Sequence, residues 1–106
     1  MKKRYAETRM HMVLTEEDNE RIRYEEDEDG LTVTVDVHGL SARRAQRLIN
    51  NIIAVIQYAF TLLVIHGYVH GTKILEMIRN RFENTRTVSI KRYQVNNGET
   101  EIVIAA

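Results

Sequence analysis

From Leu31 onward the chain alternates. Leu31, Val33, Val35 and Val37 are apolar, and Thr32, Thr34, Asp36 and His38 are polar. A period of two places the first set on one face of a strand and the second on the other. The segment is therefore expected to be a strand with one covered face and one wetter face. Asp36 and His38 share the wetter face, and Gly39 lets the chain turn. Beyond the turn the period changes. Ala45, Leu48, Ile49, Ile52, Ile56 and Ala59 recur at helical spacing, widened by Ile53 and Val55, with Arg43, Arg47 and Asn50 opposite. Ser41 is the expected N-cap, with Leu40 set to staple against Ala45. This helix is expected to reach about Tyr58.

Phe60 to Ile65 is apolar on both faces, as a central parallel strand requires. A strand–helix–strand unit with short connections predicts a right-handed crossover. The turns after both strands then fall at one edge of the sheet. A second helix is expected from Thr72 or Lys73 to Phe82 or Glu83, with Ile74, Leu75, Ile78 and Phe82 as its apolar face. Val88 to Val95 reads as a third strand. Its parity slips between Ile90 and Tyr93, which predicts a bulge or an edge position. Asn96-Asn97-Gly98 is a hairpin signal. Glu99 to Ala105 is then a fourth and central strand, giving the order β-α-β-α-β-β.

Charge divides the chain. Residues 1–30 carry six Lys/Arg against ten Asp/Glu, a net of −4, and residues 31–106 carry nine against five, a net of +4. The first part ends in Glu25-Glu26-Asp27-Glu28-Asp29-Gly30, a run that reads as a charged, flexible leader. The domain is expected to span 31–106. Its basic balance suits partners that contain phosphate. Without cysteine there is neither a disulfide framework nor a thiolate metal site. The basic start is followed by no apolar run, so no secretory signal is expected. The apolar stretch from Ile52 to Ile65 is interrupted and too short to span a bilayer. The expectation is a soluble, cytoplasmic protein without a membrane partner; the oligomeric state is left open.

The candidate chemistry lies at the two turns. Leu62 to Thr72 is an apolar run ending in His66-Gly67 and His70-Gly71, with Thr72 opening a helical pattern. Glycines allow close backbone approach to a ligand, and a helix N-terminus favours anions. Asp36 and His38 can form a general acid/base unit, because a carboxylate fixes the tautomer of an imidazole and raises its basicity. The plainer reading is that Asp36 caps the strand end and His38 is a polar strand-end residue. Asp36, His38, His66 and His70 also have metal-ligating chemistry. The His66-x-x-x-His70 spacing falls in a loop and not along a helix, so it is not a zinc-protease signature, and no metal site is expected. Arg43, Arg44 and Lys73 sit in the first turns of the helices, next to the proposed site, and can meet phosphates.

Val35-Asp36-Val37-His38-Gly39-Leu40 is similar to the Leu-Asp-x-His-Gly motif of Smr domains, the small MutS-related module. Ile65-His66-Gly67-Tyr68-Val69-His70-Gly71-Thr72 resembles their His-Gly-x-Gly motif, and Asn96 to Thr100 resembles their closing Asn-x-Gly-x-Thr segment. The match covers 31–106 and looks most like the short, stand-alone members. It implies a two-layer α/β sandwich similar to the C-terminal domain of translation initiation factor 3. Two helices would lie on one face of a mixed four-stranded sheet in the order first, second, fourth, third. It also implies DNA or RNA binding and, in several members, endonuclease activity. Asp36 and His38 would then be catalytic. Gly39, Arg43, Arg44, His66, Gly67, Tyr68, His70, Gly71, Thr72 and Lys73 would bind nucleic acid. The usual Lys-Gly after the second His-Gly is Tyr68-Val69 here. Tyr68 offers base stacking instead, with Gly71 and Lys73 left for phosphate. RNA cleavage needs no cofactor, because the 2′-OH can be the nucleophile. DNA cleavage would call for a divalent metal. The alternative reading is a non-catalytic RNA-, ribosome- or DNA-binding module that uses the same surface.

Overall fold

The computed structural model describes residues 2–67, 72–78, 84–92 and 98–106. In chain order the elements are α1 (Lys2–Val13), α2 (Glu16–Asn19), β1 (Ile22–Asp27), β2 (Gly30–Asp36), α3 (Ala42–Val55), β3 (Phe60–Ile65), α4 (Thr72–Glu76), β4 (Thr87–Arg92) and β5 (Glu99–Ile104).

The strands form one mixed sheet in the order β1-β2-β3-β5-β4. β2 and β3 are parallel, with Val33 opposite Leu62 and Asp36 opposite Ile65. β5 runs antiparallel to both β3 and β4. The parallel pair joined through α3 and the central place of β5 follow the expectation. The expected four strands are five, however, because Ile22–Asp27 pairs antiparallel with β2. The alternation of β2 therefore does not mark an edge. It marks a strand with one face against the helices and one open. β4 is an edge, one of the two outcomes its parity slip predicts; a register shift lies between Thr87 and Ser89, and Ile90 to Arg92 pair in register with β5. Tyr93 to Asn97, including most of the expected hairpin turn, lies outside the described residues.

Residues expected as a flexible leader are built into this domain. β1 and β2 form a hairpin in which Asp27 pairs with Gly30, and the Asp29 N–H donates to Asp27 Oδ1 at 2.8 Å. Ile22 and Tyr24 point into the core, as do Ala6 and Met10 of α1, one helical turn apart. Glu26 accepts the Lys3 backbone N–H at 3.1 Å, satisfying one of the free donors at the start of α1. α2 is a single turn capped by Thr15, whose hydroxyl accepts the Asp18 N–H at 3.1 Å. Asn19 Nδ2 donates to the carbonyls of Met10, Leu14 and Thr15, tying the end of α1 to α2.

α3 starts where its cap predicts, with Ser41 Oγ accepting the Arg44 N–H at 3.1 Å. Its stripe from Ala45 to Ile56 is buried against the sheet. The helix ends at Val55, three residues early, and Ala59 is exposed. Arg86 binds the carbonyls at this end. Its guanidinium donates to the carbonyls of Ile53, Tyr58 and Ala105, so the end of α3, the following connection and the end of β5 share one clamp. α4 begins at Thr72 as expected. The far end of the expected helix, with Arg79, Arg81 and Phe82, lies outside the described residues. The core is thus one apolar layer between the helices and Leu31, Val33, Val35, Phe60, Leu62, Val64, Ile102 and Ile104 of the sheet. Thr32, Thr34, Asp36, Leu63, Ile65, Glu101 and Val103 occupy the opposite face and are only half-buried. Among the described residues, no helix is long and apolar enough to cross a membrane.

Candidate functional site

Two turns meet at the end of β2 and β3. In the first, the Leu40 N–H donates to Val37 O at 3.1 Å, closing a four-residue turn with Gly39 in its third position at φ +81°. That is where a type II turn needs positive φ, which glycine adopts without strain. In the second, Gly67 has φ +85°. A Cβ on Gly67 would stand 3.6 Å from His38 Cβ, so the two turns lie side by side. The bond from the Val37 N–H to Ile65 O at 2.8 Å extends the β2–β3 ladder into the junction. The expectation that both His-Gly turns share one sheet edge therefore holds for His38-Gly39 and His66-Gly67. His70 and Gly71, with Tyr68, lie outside the described residues.

Asp36 closes β2 on the open face, and its Oδ1 is hydrogen-bonded to His38 Nδ1. The same oxygen accepts the His38 backbone N–H at 3.1 Å. A carboxylate only accepts, so the neutral imidazole carries its proton on Nδ1 and leaves the Nε2 lone pair outward. The His38 side chain is 66% exposed, so Nε2 can be reached by a ligand. This is the geometry of a carboxylate-oriented general base. It is also a strand-end cap, since one oxygen serves both nitrogens.

His66 is placed differently. It is 1% exposed. Its Nδ1 donates to Gly67 O at 2.9 Å, and the neutral ring accepts the Thr100 hydroxyl at Nε2, also at 2.9 Å. The N–H groups of His66 and Gly67 both donate to Gly98 O, at 2.8 and 3.1 Å. His66 shapes the second turn from within, with its ring buried. Thr100 and Gly98 thereby become part of the site's framework. Their segment was visible in the sequence, but nothing in it gave them this role.

The cations divide. Arg43 and Lys73 are exposed and line a cavity of about 430 Å3 between α3 and α4, with Ala42, Gln46, Glu76 and Met77. Arg44 faces α2, where Nη2 lies 3.7 Å from Glu17 Oε1 and 3.5 Å from Asp18 Oδ1. Two cations absent from the sequence reading flank Asp36. The Arg21 carbonyl accepts the Asp36 N–H at 2.8 Å, and Arg21 Nη1 donates to the carbonyls of Asp36 and His38 at 3.1 and 3.4 Å. Arg23 sits opposite Thr34 on the same open face. Both were assigned to the leader. The alternation of Arg21, Ile22, Arg23 and Tyr24 before Asp29-Gly30 is the signal that places them on a strand.

Among the described residues, no group of three or more His, Asp or Glu side chains is disposed to hold a metal ion. Comparison of the chain with protein-family models, curated proteins and solved structures returns no match. What the site can do therefore rests on its own geometry and on the resemblance of its two motifs.

Proposed function

We propose that this chain is an Smr-like nucleic-acid-binding domain that cleaves phosphodiester bonds through Asp36 and His38. The observation that carries the reading is the Asp36–His38 pair, with Nε2 outward, where the two His-Gly turns adjoin. Such a histidine can take the proton of a 2′-OH on RNA or of a water molecule on DNA, and the carboxylate holds it in the tautomer that can do so. The strand order β2-β3-β5-β4 with β5 antiparallel supports the likeness to the C-terminal domain of initiation factor 3 that the motifs imply. Arg43 and Lys73, lining one cavity beside the turns, support a backbone contact. A second reading, a binding module without chemistry, is favoured by the cap that Asp36 Oδ1 forms on the His38 backbone N–H.

The test is cleavage of supercoiled plasmid and of structured RNA, with and without chelator, by the intact chain and by His38→Ala. Cleavage lost in His38→Ala is expected. Loss on chelation would assign the reaction a metal. Binding without cleavage in either protein would leave the module reading. Absence of binding at low salt would sink both.

A further inference from the structure

On the face of the sheet away from the helices, a cavity of about 190 Å3 opens beside Asp36, lined by Glu20, Arg21, Arg23, Thr34, Asp36 and Ile65. We propose that this cavity holds a backbone phosphate of the bound nucleic acid, with Arg23 as the contacting residue and Arg21 as the positioning residue for Asp36 and His38. The proposal rests on the function proposed above and adds a second point of contact to it.

Four observations support it. Arg23 is exposed, and among the described residues its guanidinium has no ion pair or hydrogen bond. It sits across the ladder from Thr34, which lines the same cavity. Arg21 is already spent on structure, since one nitrogen braces the carbonyls on both sides of Val37 and so holds the turn that carries His38. Finally, Asp36 belongs both to this lining and to the pair with His38, so a phosphate seated here adjoins the reacting group.

Charge determines how the anion is held. The lining balances Arg21 and Arg23 against Glu20 and Asp36, so the empty cavity attracts anions only weakly by net field. Binding must come from directional donors, and a guanidinium fork matches two phosphate oxygens where an ammonium cannot. Glu20 opposes a second anion, so one phosphodiester fits and a cluster of carboxylates does not. The α3–α4 cavity with Arg43 and Lys73 lies in the helix layer, while Asp36 faces the open side. His38 stands at the sheet edge between them. A strand crossing that edge would meet cations before and after the base.

The experiment titrates a labelled single-stranded 20-mer of RNA, and one of DNA, with the full chain at several salt concentrations. Arg23→Gln, Arg21→Lys and Arg43→Gln are compared with the unaltered protein. Arg23→Gln should bind about five- to tenfold more weakly at low salt, as for loss of one charge-assisted contact. Its slope of log affinity against log salt should be shallower by about 0.7. Arg21→Lys should keep most of the affinity, lower kcat more than KM, and shift the nitrogen resonances of the His38 ring. A merely structural Arg21 would leave those resonances in place once folding is confirmed. If Arg23→Gln binds with unchanged affinity and slope while Arg43→Gln is weakened, the cavity is not a phosphate site and the functional reading survives. If the unaltered chain binds neither strand, both fall. Equal competition by an acidic peptide would replace the nucleic acid by a protein partner and overturn the proposal.

Discussion

Tyr24 shows how a single side chain couples burial to pH. The residue is 8% exposed, and its buried hydroxyl has no hydrogen-bond partner among the described residues. Burial, aided by the nearby Glu7 carboxylate, pushes its pKa up to about 12. The folded state thus holds the phenolic proton more tightly than the unfolded chain. This contribution is fully present below the unfolded pKa of about 10 and is lost as pH rises through the folded value. Stability measured by urea titration should fall between pH 10 and 12 more steeply in the native chain than in Tyr24→Phe. At pH 7 the variant should equal or exceed the native chain, by up to about 1 kcal/mol, because it removes an unsatisfied hydroxyl. A loss on substitution would mean that the hydroxyl has a partner. Gly67 gives a second prediction at this scale. Alanine there meets only an ordinary contact at 3.6 Å from His38 Cβ, but the φ of +85° is strained for any residue with a side chain. Gly67→Ala should cost about 1–2 kcal/mol by thermal melt. A larger loss would mean that the two turns cannot separate even slightly.

Among the elements, α3 was the most legible and its end the least. The stripe from Ala45 to Ile56 and the Ser41 cap are local signals, and both appear as read. The end at Val55 is braced by Arg86, 31 residues downstream, and no local pattern announces a guanidinium that binds carbonyls of Ile53, Tyr58 and Ala105. Arg86→Met keeps the apolar length and removes every donor. It should destabilise the domain by about 2–4 kcal/mol, since charged hydrogen bonds are lost and carbonyls are left unpaired. For a chain this size that is a fall in melting temperature of roughly 10–20 °C. A melting temperature within a few degrees of native would show that water replaces the clamp. β1 was missed for a related reason. Its four acidic or basic positions outnumber Ile22 and Tyr24, so composition hid a period of two that the Asp29-Gly30 turn would have exposed. The Asp36–His38 pair was legible because both residues lie on one strand end. The burial of His66 was not, because its partner Thr100 is 34 positions away.

At the level of the whole molecule, the opposite charges of the two segments are packed together and not strung apart. The radius of gyration is 12.8 Å. A compact domain of 100 residues has about 13 Å, which leaves no room for a trailing leader. Deleting residues 1–29 is therefore a poor test of whether the acidic segment covers the basic face. It would strip β1 from β2 and remove Ala6, Met10, Ile22 and Tyr24 from the core. A gentler change isolates the charge. Glu17 and Asp18 engage Arg44 at 3.7 and 3.5 Å, and Arg47 lines the adjoining cavity. Replacing both acids, Glu17→Gln with Asp18→Asn, keeps the shape and frees Arg44. Glu17 and Arg44 are exposed and Asp18 is partly buried; a bridge open to solvent at the arginine is worth about 1 kcal/mol to folding, so the variant should still fold. If Arg44 then reaches a phosphate, nucleic-acid affinity should rise at low salt, and the salt slope should steepen by about 0.7–0.9. An unchanged slope with unchanged folding would show that α2 fastens Arg44 for structure alone. The proposed nucleic-acid contact would then be confined to Lys73, Arg43, His38 and Arg23.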